Sequence, residues 1–70
     1  MTKTIPFDKI STLTPGQRVT YESRYGNLSG TVGRICEGEC VGIVSPTGAL
    51  EVTFGPDHFT EGRLVVEEDQ

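Results

Sequence analysis

From Gln17 onward the chain alternates apolar and polar positions with a period of two. Val19 and Tyr21 are interleaved with Arg18, Thr20 and Glu22, as in a strand with one buried face, and Tyr25 has the same parity. Tyr25-Gly26-Asn27 interrupts the run with a turn signal, after which Leu28, Gly30 and Val32 face one way. Ile35 is out of phase with Val32. One extra residue at Gly33, a β-bulge, restores the pattern and leaves Arg34 outside and Ile35 inside. Val41–Ser45 forms the next strand after the Cys36–Cys40 segment. Ser45-Pro46-Thr47-Gly48 then has serine, proline and glycine where a type I turn favours them. Leu50, Val52 and Phe54 alternate with Glu51 and Thr53 and read as the cleanest strand. The stretch 55–62 is a longer connection or a single helical turn, and Leu64 and Val66 mark a last strand.

Before Gln17 the pattern is weaker. Ile5, Phe7, Ile10 and Leu13 lie among polar residues, with Asp8 able to cap a short turn of helix. Residues 1–14 therefore read as a lead-in, at most a two-turn element. Thr14-Pro15-Gly16 supplies a fixed φ followed by a residue tolerant of positive φ, as a type II turn requires. Residues 67–70 are an acidic tail. Five short strands in one domain, 1–70, cannot cover two separate sheet faces. Bending the sheet at glycines and bulges blunts its edges. The expectation is an all-β fold, a small five-stranded, partly open barrel of the SH3-like kind. A five-stranded OB-type barrel is the alternative, but it needs longer strands and a helix before the fourth.

The segment PGQRVTYESRYGNLSGTVGRI, residues 15–35, resembles the KOW motif of SH3-like barrels in ribosomal proteins and transcription elongation factors. The matching features are the Pro15-Gly16 entry, alternating Val19 and Tyr21, Gly26 in the loop, and Gly30-Thr31-Val32 followed by Ile35. Gly26 and Gly30 would permit a sharp turn and a close strand approach, with Val32 and Ile35 filling the barrel. The resemblance implies the fold, and an association with RNA or polymerase. Members that bind RNA usually carry a basic loop between the first strands, whereas this loop, ESRYGNLS, has one arginine.

Composition narrows the function classes. No apolar run is long enough for a signal peptide or membrane span, so a cytoplasmic location without membrane contact is expected. Ten acidic against six basic residues give a net charge of −4, and Lys3 and Lys9 are the only lysines. Acid excess with scarce lysine is the composition of a salt-adapted, halophilic cytoplasm, where net charge maintains solubility under strong screening.

Few residues offer chemistry. His58 beside Asp57 is half of an acid–base pair with no nucleophile to serve, so no enzyme is expected; His58 reads as a cap, with Phe59 anchoring its loop to the core. Cys36 and Cys40 flank a Glu-Gly-Glu turn. They read as half-buried thiols with Gly38 at positive φ, as a small local disulfide, or as a metal half-site that a second chain would complete, since a structural zinc needs four ligands. No cofactor is expected.

Arg18, Arg24 and Arg34 share outward parity and Tyr25 sits at a loop, a set that would contact RNA or DNA through phosphates and a stacked base. The competing reading is that Tyr25 completes the core edge while the arginines pair with Glu22 and Glu51. Three arginines among many acids make a weak positive field. The leading functional expectation is therefore an adaptor that binds a protein partner or docks in a larger assembly by a loop or sheet edge. A KOW-like nucleic-acid module in transcription or translation is the alternative.

Overall fold

The structure, a computed structural model, describes residues 2–67. The chain runs through β1 (Thr2–Ile5), a 3-10 helix (Phe7–Thr12), β2 (Arg18–Ser23), β3 (Gly26–Cys36), β4 (Cys40–Val44), β5 (Glu51–Phe54), α1 (Pro56–Glu61) and β6 (Gly62–Glu67). All pairings are antiparallel, in one sheet of spatial order β1-β6-β2-β3-β4-β5. β2 to β5 form a meander of hairpins. α1 then carries the chain back so that β6 lies on the other side of β2, and β1 adds outside β6.

The all-β expectation holds, but the strand count of five does not: among the described residues there are six strands, in an open sheet whose edges are β1 and β5. The additional strand lies in the stretch read as a lead-in. Only Ile5 of β1 is buried, so the strand is held by its ladder to β6 and leaves no apolar alternation to read. At the other end Glu67, assigned to the acidic tail, belongs to β6 opposite Thr2; residues 68–70 of that tail lie outside the described residues.

β3 is the longest strand and the one that bends the sheet. Its first part pairs with β2 and its last part with β4, with Thr31 opposite both Arg18 and Val44. Val32 faces Ile43 and Ile35 faces Val41, so Gly33 and Arg34 together oppose Gly42. This is the expected bulge, with Arg34 exposed and Ile35 packed against the core. At Gly30 the main chain of β4 comes so close that an added Cβ would collide with the Val44 carbonyl oxygen.

Turn chemistry follows the sequence. Gly16 has φ +92° and the Gln17 N–H donates to Thr14 O at 3.0 Å, closing the type II turn. The Gly48 N–H donates to Ser45 O at 2.8 Å.

One face of the sheet carries the core: Val19, Tyr21, Val32, Val41, Ile43, Phe54, Leu64 and Val66, closed by Ile5, Ile10 and Leu13 from the N-terminal segment. Each such side chain contributes about 1.5–3 kcal/mol when fully buried. Leu50 and Val52, expected on this face beside Phe54, depart from the pattern: they remain 67% and 39% exposed. They have the correct parity, but β5 has a neighbour on one side only, and the core ends at Phe54.

Candidate interaction surface

The β2–β3 hairpin turns at Arg24 and Tyr25, between the paired residues Ser23 and Gly26. Ser23 Oγ accepts from the Tyr25 N–H and donates to Gly26 O, both at 3.2 Å, which fixes the tip. Tyr25 is 77% exposed, so it does not complete the core edge. The Arg24 guanidinium carbon lies 5.1 Å from the Tyr25 ring centroid, in cation–π range. Arg24 and Tyr25 are thus brought together, as one stacked pair at a loop tip.

The other two arginines stand elsewhere. Arg18 is on the outer face opposite Thr31, midway along β3, and Arg34 projects from the bulge near the far end of that strand. Carboxylates interrupt the charge. Arg18 lies 3.9 Å from Glu67, and the partner of Glu22 is Arg63, whose Nε donates to Glu22 Oε1 at 2.7 Å. Among the described residues neither ion pair matches the pairing with Glu22 or Glu51 that sequence suggested for Arg18, Arg24 and Arg34. Glu51 lies over the glycines instead: its Oε2 occupies space that a Cβ on Gly42 or Gly33 would enter.

Cys36 and Cys40 face each other directly across the β3–β4 hairpin. Both are free, half-buried thiols. Gly38 has φ +79°, and the Glu39 N–H donates to Cys36 O at 2.9 Å. Burial pushes the Cys40 thiol up from its ordinary value; Cys36 acts in the same direction through a hydrogen bond and its charge, as does Glu39, while Arg34 opposes them. A thiol shifted upward is a poor nucleophile and a poor metal ligand near neutral pH. Among the described residues no group of three or more His, Cys, Asp and Glu side chains comes together to hold a metal ion.

His58 serves the fold. Its Nδ1 accepts the N–H of Gly55, the residue preceding α1, at 3.1 Å, and its carbonyl accepts the Tyr21 hydroxyl at 2.7 Å. The His58 ring meets Phe54 edge-on at 5.1 Å, and Phe59 packs edge-on against Phe7 at 5.4 Å. Together these contacts dock α1 on the end of the core.

The residues that sequence reasoning missed are Val52 on β5 and Leu50 just before it. Leu50 and Val52 share the parity of the buried Phe54, yet with Tyr25 they are the large apolar side chains exposed among the described residues. The other edge, β1, carries Lys3 and is followed by Pro6, features that discourage further strand pairing. β5 has neither. Its one charged side chain, Glu51, is drawn over Gly42 and Gly33 and away from the edge.

Among the described residues no helix is long and apolar enough to cross a membrane. The chain matches no family model, no curated protein and no solved structure.

Proposed function

We propose that this domain is a non-enzymatic interaction module that docks a protein along the β5 edge, with Leu50 and Val52 as its apolar contacts. The observation that carries this reading is the edge itself: a strand open on one side, with Val52 on it 39% exposed and Leu50 just before it 67% exposed. Strand addition to such an edge draws affinity from main-chain hydrogen bonds and specificity from alternate side chains. The order of strands supports the finer grouping as well. β2 to β5 run as a meander and β6 returns beside β2, an arrangement compatible with the SH3-like, KOW-type barrel that residues 15–35 resemble, with β1 as an addition.

The test is a photo-crosslinking residue at position 52 and, as a control, one at exposed position 12, irradiated in cell extract. A discrete adduct from position 52 alone is expected. Absence of any adduct at position 52, or equal labelling at both positions, would defeat the proposal.

The exposed Tyr25 ring with Arg24 stacked on it favours a second reading, a nucleic-acid contact at the hairpin tip. In that case the amide signals of Arg24 and Tyr25 shift on adding a short RNA or DNA, and affinity falls steeply with salt. Unchanged spectra at low salt would remove it.

A further inference from the structure

We infer that the occupant of the β5 edge is a second copy of this chain, paired antiparallel through β5 about a two-fold axis at Val52. The inference rests on the proposed edge-docking function and names its partner.

Main-chain geometry sets the register. The Ser45 N–H donates to Leu50 O at 2.8 Å, and β5 pairs onward with β4 from Val44–Glu51 to Val41–Phe54. In an antiparallel ladder, hydrogen-bonded and non-hydrogen-bonded pairs alternate. Leu50, Val52 and Phe54 therefore direct their main-chain groups at β4, while Glu51 and Thr53 direct theirs at the open edge.

A two-fold axis at Val52 places Glu51 of each copy opposite Thr53 of the other, so the outward N–H and C=O groups of both residues find partners. Val52 then faces Val52 as a non-hydrogen-bonded pair, the closer of the two kinds, and Leu50 comes opposite Phe54. No like charges meet: the two Glu51 residues each face a threonine, and each carboxylate already lies over Gly42 and Gly33 on its own chain. An isologous contact of this kind needs one patch to be complementary to itself, and this strand is. The same construction fails at β1, where an axis at Lys3 would set two ammonium groups face to face.

Charge sets the salt dependence. Each copy carries a net charge of −4, so association brings like-charged bodies together and screening favours it. Phosphate binding responds to salt in the opposite direction.

The test is sedimentation equilibrium of the purified full chain over a concentration series, at low and at high salt. A short edge contact of four hydrogen bonds and a few apolar side chains predicts weak association that depends on concentration. The mean mass should rise with concentration from 7.6 kDa toward twice that value, further at high salt. Two variants locate the contact. Thr53→Pro deletes an edge-facing N–H without touching the β4 ladder, and Val52→Lys sets two ammonium groups together at the axis. Both should retain the wild-type circular dichroism spectrum and sediment as monomers, while Tyr25→Ala associates as the wild type does.

A monomer at every concentration and salt, or variants that associate like the wild type, would overturn the inference. A monomeric chain that still crosslinks to a different protein through position 52 would overturn the self-pairing and leave the edge-docking function standing.

Discussion

Replacing Gly30 by alanine tests the account of how this sheet bends. Gly30 lies opposite Val19, where β3 passes from its pairing with β2 to its pairing with β4. Its φ is not positive, so alanine meets no backbone strain there; the obstacle is space. An added Cβ would collide with the Val44 carbonyl oxygen and stand 3.1 Å from the Val44 carbonyl carbon and 3.0 Å from Ile43 Cγ2. Val44 is held by Thr31 on one side and Glu51 on the other, so relief requires moving β4 and loosening its pairing with β3. Overpacking of this kind costs about 1–3 kcal/mol, and a weakened main-chain hydrogen bond about 1 kcal/mol more. The lower entropy of an unfolded alanine chain returns about 0.4–1 kcal/mol.

The net loss is about 1–3.5 kcal/mol, from a total of about 4–10 kcal/mol for a domain of this length. Thermal unfolding followed by circular dichroism should show Tm lower by roughly 5–25 °C. Gly16→Ala is the control. Gly16 has φ +92° but nothing within 4 Å of the added Cβ, so that variant stores strain without a clash and should lose only about 1 kcal/mol. A Gly30→Ala protein within about 0.5 kcal/mol of the wild type, or one more stable than Gly16→Ala, would refute the close approach of β3 and β4.

Four further outcomes are expected. Tyr21→Phe removes the hydroxyl that donates to His58 O and should cost about 1 kcal/mol by urea titration, with faster amide exchange in α1 than in the β2–β3 ladder. Because burial and Cys36 raise the Cys40 pKa, its thiolate is scarcer at a given pH than that of a free cysteine; alkylation should follow a curve displaced to higher pH, and Cys36→Ala should move it back. By the same linkage, the stability associated with the neutral Cys40 thiol is intact below the ordinary thiol pKa and is lost as pH climbs through the raised one, visible as a falling urea midpoint. Gly42→Ala displaces only the flexible end of Glu51, so the fold should survive while the freed carboxylate returns to the β5 edge and weakens self-association in the sedimentation assay.

Features governed by neighbouring residues were legible in the sequence. The type II turn at Gly16, the bulge at Gly33-Arg34, Gly38 at positive φ and the facing cysteines each depend on a few consecutive residues, and each is found where the sequence places it. Parity also identified the inward side correctly for Val19, Tyr21, Val32 and Phe54. What parity does not contain is the number of neighbours a strand will have. An inward position on a central strand is covered from both sides, whereas on an edge strand the same side chain is half open. This is why Leu50 and Val52 could be read as core from sequence and yet stand exposed.

The same physics hid β1, whose ladder to β6 needs almost no apolar side chain, and it separated Arg18, Arg24 and Arg34, which outward parity had grouped without regard to their distance along β3. The candidate surface is therefore a property of strand order. Because α1 returns the chain to the far side of β2, β5 is left at the end of the sheet. An edge strand in that position, with its only charge drawn back over Gly42 and Gly33, leaves a row of main-chain donors and acceptors for another strand to take.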